Sequence, residues 1–483
     1  MFARMTPFHL LTLAVFIALL LPALLAEGMF MDGLLYTCVA RNLGEGLGTF
    51  WQPYFSATWS KWDVNSFHEH PPLAFGIQAV LYRLLGDSIY VERGYSLLCA
   101  LASAGFLSAI WRRLFSSLEE AELYWLPILC WIGVPVVFWS FQNNMQENTL
   151  SVFVLAACYW GYSYGRPEGP TYGGLLLAGI SIFAASLTKG LPGLFPLAIP
   201  FFDYLVHRHD SFGRMLGRSL LLLTVPVLLY GLLATIPVAR ESLWFYLKFR
   251  LLSRIEVAPT VDSRWFSLSQ TVLELLPALI FSLLSLLIHR YGKPTVARPV
   301  GWSRHLLFFT ALGLSGVLPL LLTMVQKGFY LVPAFPFFAL ALALLASTPW
   351  RHWTNGLRRS PRAYGWGLGL AWALVLLSVG ASTLALGTVK RDRDLIEAVK
   401  LMGERVGPHQ TIRIEPVLHE RWSLHCYFMR YYHISLDRKP IDRSYYLLRE
   451  GVEPVADGYR AVDLPAVRGY TLYEALAAQR FSK

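Results

Sequence analysis

The sequence predicts an α-helical polytopic membrane protein with a small C-terminal α/β domain. Three observations carry that class. Hydrophobic residues make up 55% of the 483 residues and charged ones only 15%, against about 25% charge in ordinary soluble domains. Apolar runs of roughly 20 residues, the length that crosses a bilayer, recur along the chain. From about residue 390 the composition turns polar, and helix-like and strand-like patterns alternate.

Length and apolarity place about eleven spans. They fall near 8–26, 94–112, 122–141, 147–163, 172–188, 190–206, 217–236, 269–288, 305–324, 329–347 and 365–387. The first, "FHLLTLAVFIALLLPALLA", is longer than the apolar core of a signal peptide, and "LLAEGMF" after it is a poor cleavage motif, so it reads as a retained helix. Basic clusters set the orientation. Arg112-Arg113, "HRHDSFGRMLGR", "HRYGKPTVARPVGWSR" and "RHWTNGLRRSPR" all follow even-numbered spans. This pattern predicts an inside N-terminus and an outside C-terminus. The formal net charge of +11 is then mainly topological, with attraction to anionic lipid added, and is no argument for a nucleic-acid partner.

Three outer segments exceed simple connections. Residues 27–93 form a large first loop rich in Trp, Gly and His. Residues 237–268 contain Trp244, Phe245, Leu247 and Leu251 among basic residues, which suits an interfacial helix. In the tail, "DRDLIEAVKLMGERVG" has a helical pattern, while "TIRIEPV" and "RSYYLLREG" read as strands. The expected organisation is a membrane domain over 1–389, including the loop, and an α/β domain over 390–483. Neither an internal repeat nor a low-complexity tract is evident. Of the five cysteines, Cys99, Cys130 and Cys158 fall in spans. A bridge between Cys38 and Cys426 is left open by their spacing. With no CxxC there is no zinc-ribbon or redox motif, and His419, His425 and His433 form no recognisable pattern.

Ionisable groups near membrane depth point to function. Asp32 follows the first span. Glu69 and His70 lie in "HEHPPLAF", Glu147 opens the fourth span, Lys189 sits in the turn after the fifth, and Lys327 opens the tenth. All fall on the outer side, although Lys189 and Lys327 run against the positive-inside bias. Each has a structural alternative. Asp32 would serve as N-cap of a helix over 33–43, Glu147 would cap or anchor its span, and the two lysines would snorkel to headgroups. Glu69 and His70 admit a divalent metal ion, but i and i+2 histidines followed by Pro-Pro supply no evident third ligand. Jointly, two or three carboxylates and three cations meet at one membrane face.

These residues stand in four motifs: "MDGLLYTCVARNL", "EHPPLAF", "LTKGLPGL" and "KGFYLVPAFPFFALA". Their order and spacing over roughly residues 8–345 resemble the GT-C superfamily of polyprenyl-phosphate-sugar-dependent glycosyltransferases. The branch they are most similar to is the family 39-like one, with bacterial protein O-mannosyltransferases and lipid A aminoarabinose transferases. Gly33 stands where many relatives have an acidic residue, Leu35 where some have Arg, and His70 where the lipid A branch has Lys. Those departures argue against aminoarabinose transfer. The double-Trp-Asp motif of oligosaccharyltransferases is absent, which argues against whole-glycan transfer to asparagine.

The resemblance implies a donor sugar on polyprenyl phosphate, delivered in the membrane lipid, and a lipid, glycan or protein acceptor. Phosphate leaves readily, so one carboxylate suffices as base, and direct displacement inverts the anomeric centre. Asp32 is the expected base, with Glu147 as a second catalytic carboxylate. His70, Lys189, Lys327 and Tyr330 are the expected phosphate ligands. No cofactor is required beyond the metal ion that Glu69 and His70 admit. The implied setting is a bacterial inner membrane. Two other classes fit parts of the pattern: a flippase for lipid-linked sugars, which usually shows repeats or broken helices in both halves, and a receptor-like protein whose tail binds glycans.

Overall fold

The computed structural model describes residues 5–60, 64–115, 117–208, 210–252, 259–291, 298, 301–454, 458–464 and 467–476. They form two compact units, one of Met1–Leu25 with Arg93–Leu386 and the other of Ala26–Glu92 with Gly387–Lys483. The division is not the linear one expected at residue 389. The first loop and the tail fall in the same unit.

The first unit is helical. Among the described residues, eight helices are long and apolar enough to cross a membrane, or nine if one bent pair is a single span. They are Pro7–Leu25, Ile89–Leu114, Tyr172–Lys189, Phe212–Ala234, Phe266–Tyr291, Trp302–Leu322, Gly328–Arg358 and Pro361–Thr383. The bent pair, Leu118–Ile132 and Pro135–Gln142, turns by 80°. Gly133 and Pro135 cause the break, because Pro lacks the N–H that would continue the ladder and prefers the first position of a new helix.

Two of the eleven expected spans are shorter or interrupted helices. The span expected at 147–163 is the 16-residue helix Gln146–Gly161. The one expected at 190–206 is a 3-10 run, Leu191–Ala198, continuing into the short helix Ile199–His207. Three prolines in "LPGLFPLAIP" prevent a regular helix there. Phe212–Ala234, Phe266–Tyr291 and Pro361–Thr383 turn most of their surface outward, as lipid-facing helices do. Gly328–Arg358 is the most enclosed span. The segment expected to hold an interfacial helix contains the helix Pro237–Phe245 followed by a π-helical turn, Tyr246–Leu251, with Trp244 and Leu247 exposed. The Leu251 side chain and residues 253–258 lie outside the described residues.

The second unit is built around a mixed five-stranded sheet of order β2-β1-β3-β5-β4. Its strands are β1 (Thr411–Ile414), β2 (Ser435–Asp437), β3 (Tyr445–Arg449), β4 (Tyr459–Ala461) and β5 (Tyr470–Ala475). Strand β1 pairs in parallel with β2 and β3, whereas β5 runs antiparallel to β3 and β4. The helix Arg393–Val406 buries Ile396, Val399, Met402 and Val406, a 3.6-residue period that lays one apolar stripe on the core. The tail helix and the strands expected at "TIRIEPV" and "RSYYLLREG" are all present.

First-loop residues share this core. Leu34, Cys38, Val39, Phe55, Phe67 and Phe75 are buried in the same cluster as Ile412, Leu424, Phe428 and Leu447. Glu27 forms a parallel bridge to Val389. Gly28 has φ +87°, and a Cβ there would lie 2.3 Å from the Arg391 carbonyl oxygen, so only glycine fits. All five cysteines are free. Cys38 and Cys426 are nevertheless neighbours, the Cys38 thiol donating to the Cys426 carbonyl at 3.3 Å. Burial pushes Cys38 up to about 12, which leaves it an unreactive thiol.

Candidate active-site residues

The sequence-derived site residues fall into two groups. Asp32, Glu69 and His70 belong to the second unit; Glu147, Lys189, Lys327 and Tyr330 belong to the first.

In the second unit the helix Met31–Gly44 begins two residues earlier than the N-cap reading requires. Its N-cap position is Phe30, without a side-chain cap bond, and Asp32 lies inside the first turn. A carboxylate there faces the positive end of the helix dipole. Asp32 is partly exposed. Tyr36 follows four residues later, on the same helical face. Its hydroxyl shares a 3.0 Å hydrogen bond with His70 Nε2, and the rings meet edge to face. Two of the four motifs, "MDGLLYTCVARNL" and "EHPPLAF", are thus joined by this bond. His70 is buried, and Glu69 is half-buried. The other histidine of "HEH", His68, shares a 2.7 Å bond with Ser66 Oγ, and burial pushes it down to about 4.

The motif arginine, Arg41, has a structural role that the sequence did not disclose. It is fully buried, and its guanidinium donates to the carbonyls of Met429 at 2.6 Å and Arg430 at 3.2 Å. Those are last-turn carbonyls of the helix Trp422–Tyr432, and the Met429 carbonyl also accepts from the N–H of the cap residue His433 at 3.1 Å. Asp87 lies 3.3 Å from the same guanidinium. Asp87 also pairs with Arg430 at 2.6 Å, and Arg430 reaches the buried Glu92 at 3.3 Å.

Among the described residues, the group of three or more His, Cys, Asp and Glu side chains whose ligand atoms converge to metal-binding distance is Glu45, Asp87 and His433, within 4.8 Å. Glu69 and His70 gain no third ligand there. The convergent trio is occupied by an arginine, since Arg41 Nη1 lies 3.0 Å from His433 Nε2 and 3.3 Å from Asp87.

In the first unit, Lys189 donates to Glu147 Oε1 at 2.5 Å. Glu147 is fully buried and Lys189 only 6% exposed, so two charges that the sequence set apart form one enclosed ion pair. The second carboxylate oxygen of Glu147 and the side-chain amide of Gln146 are buried without a hydrogen-bond partner among the described residues. The Lys189 ammonium lies 5.3 Å from the Tyr330 ring centroid and 5.8 Å from that of Phe329, within cation–π range. Lys327, three residues before Tyr330, is exposed and makes no ion pair among the described residues.

The local sequence explains why Lys189 is held. It is the last residue of Tyr172–Lys189, where a cation suits the helix dipole. Gly190 follows with φ +75°, and a Cβ there would lie 2.1 Å from the Tyr246 hydroxyl. That hydroxyl donates to the Lys189 carbonyl at 3.1 Å. On the Glu147 side, Asn148 fixes the start of its helix by donating to the Ser140 carbonyl at 2.9 Å and accepting from Ser140 Oγ at 2.8 Å.

Comparison with known proteins bears on both groups. Residues 69–240 match the family model described as dolichyl-phosphate-mannose-protein mannosyltransferase. That stretch holds Glu69, His70, Glu147 and Lys189, but not Asp32, Lys327 or Tyr330. The solved structure of ArnT from Cupriavidus metallidurans bound to undecaprenyl phosphate matches with a TM-score of 0.65 at 15% identity, covering 97% of this chain and 98% of that one. Its apo form matches with a TM-score of 0.64 at 15% identity, covering 97% of each chain. No curated protein matches the sequence significantly.

The fold is similar to that of the two ArnT structures over nearly the whole chain. The family match covers the segment that carries four of the candidate residues, and over that segment the chain is similar to the dolichyl-phosphate-mannose-protein mannosyltransferase family.

Proposed function

We propose that the protein transfers a sugar from a polyprenyl-phosphate donor to a lipid, glycan or protein acceptor, with inversion, on the outer face of a bacterial inner membrane. The observation that carries this reading is the coincidence of the family match with the two polar clusters, Tyr36–His70 and Glu147–Lys189. The likeness in fold to a protein solved with undecaprenyl phosphate supports the donor class.

Within this reading Asp32 takes the acceptor proton as the new glycosidic bond forms, and the polyprenyl phosphate leaves with the bonding electrons. His70 binds a donor phosphate oxygen, oriented by the Tyr36 hydroxyl. Lys327, the exposed cation, and Tyr330 are phosphate ligands from the first unit. The Lys189 ammonium has three N–H donors, of which Glu147 takes one, leaving others for phosphate. Glu147 is a positioning residue here: its burial and its pairing with Lys189 favour fixing that ammonium over touching the acceptor. A metal on Glu69 and His70 would need further ligands from solvent or donor.

Purified protein incubated with a panel of polyprenyl-phosphate sugars is expected to release free polyprenyl phosphate with at least one of them, once an acceptor is supplied. With that donor, His70→Ala should raise the apparent donor constant while kcat falls less, because binding common to ground and transition states has been removed. An unchanged donor constant would return His70 to a structural role. Release of polyprenyl phosphate with none of the panel, in protein that remains folded, would overturn the donor class.

The basic clusters support an inside N-terminus and an outside C-terminus. Reporter fusions after Arg113 and after Lys483 should report inside and outside respectively. The same compartment at both points would refute the outer placement of the site.

A further inference from the structure

Two imidazoles of the second unit hold buried nitrogens that no described residue satisfies. His419 lies in the 3-10 turn Pro416–Glu420, and His425 in the helix Trp422–Tyr432 that follows. His419 Nδ1 and His425 Nε2 are both closed off from solvent, and neither has a hydrogen-bond partner among the described residues. A buried polar atom in that state is costly and calls for a water or an ion. The two ring centroids are 5.4 Å apart, with the ring planes at 82°. Two imidazoles on one tetrahedral ion, at about 2.1 Å per metal–nitrogen bond, put their centroids about 5 Å apart. Trp422 closes one side, its ring 5.6 Å from His419 and 5.2 Å from His425.

The protonation chemistry agrees with this geometry. The backbone of Leu418 and His419 favours a proton on the His425 ring. Nδ1 is the nitrogen left to carry it, so Nε2 presents its lone pair, which is how a hydrogen bond at one nitrogen selects the ligating nitrogen. Burial pushes His425 down to about 4 and lowers His419 as well, so both rings are neutral near pH 7. The charged neighbours of His419 are Arg438 and Glu420, of opposite sign, with the Arg438 effect the larger of the two.

We propose that His419 and His425 form a two-histidine site for a divalent late transition ion of the zinc or copper class, whose remaining positions are filled by water. Imidazole nitrogen suits those metals, whereas magnesium and calcium prefer oxygen. The bound ion would pin the 3-10 turn to the helix, a role separate from sugar transfer.

The test uses full-length protein, purified in detergent on a histidine-free tag, stripped with chelator and titrated with Cu²⁺. Electron paramagnetic resonance should show one equivalent with hyperfine coupling to two nitrogens, and Zn²⁺ should displace it. His419→Gln and His425→Gln should each leave a one-nitrogen spectrum and weaken binding by roughly tenfold or more, as loss of one of two protein ligands requires. If the double variant binds Cu²⁺ with unchanged stoichiometry and spectrum, a bridging water is all that joins the rings and the site is refuted. Should His425→Gln fail to fold, the half-buried His419→Gln decides alone. Retention of the two-nitrogen signal there overturns the proposal.

Discussion

Asp32→Asn is expected to insert and fold as the wild type does, bind donor, and transfer sugar about 10² to 10⁴ times more slowly, the usual effect of losing a positioned base. The structural cost of the exchange is small. The cap position belongs to Phe30, so no cap is lost, and removing a first-turn charge from the helix dipole costs about 0.3–1 kcal/mol. Chemistry and stability therefore separate in one variant, read by turnover and by thermal midpoint. A flippase or a glycan receptor would be little affected, because neither needs a carboxylate at a reaction centre. If Asp32→Asn keeps more than about a tenth of wild-type turnover, more than loss of a base allows, the base must be reassigned, with Glu69 the remaining half-buried carboxylate of that unit's motifs.

Glu147→Ala is expected to destabilise the protein by about 3–5 kcal/mol, because it leaves the buried Lys189 ammonium without its counter-ion. Lys189→Met should cost a similar amount by stranding the carboxylate. The double variant Glu147→Leu/Lys189→Met should recover much of that loss, since a buried ion pair replaced by apolar residues of similar size is often neutral in stability. It should nonetheless transfer no sugar, because the donor ammonium is gone. The measurement is a double-mutant cycle on the unfolding free energy in detergent, with turnover followed in parallel. Additive single effects would mean that the pair is not coupled. Full turnover in the double variant would remove Lys189 from the phosphate site.

Much of the fold was legible because its signals are local. Long apolar runs, the basic clusters between them and the helical stripe of residues 396–406 each need only a short window of sequence. The interruption of the span expected at 190–206 was not legible, because length and apolarity do not register what three prolines do to a helix. The packing of the first loop with the tail could not be read at all. Pairing Cys38 with Cys426, or Arg41 with the carbonyls of Met429 and Arg430, depends on residues nearly four hundred positions apart, and no periodicity records such a contact.

At the candidate site the residue types were legible and their partnerships were not. The motifs named Glu147 and Lys189 as separate functional charges, and only the geometry shows that one neutralises the other. Tyr36 stood in the first motif without a stated role until its bond to His70 supplied one. His419 and His425 are six residues apart, which matches no ligand spacing on a single helix, because the turn between them sets their separation.

The second unit is assembled from residues 26–92 and 387–483, which has a consequence for biogenesis. The first segment leaves the ribosome 294 residues before the second begins, an interval of roughly 15 to 60 s at ordinary elongation rates. Throughout it, Leu34, Val39, Phe55 and Phe67 lack the apolar partners that bury them in the finished unit, and the Arg41 guanidinium has no helix end to hold. The nascent loop is thus a natural client for a holding chaperone on the side to which it is delivered. A chain truncated before Gly387 would keep that client state permanently, making quality-control proteases the most sensitive reporters of an incomplete tail.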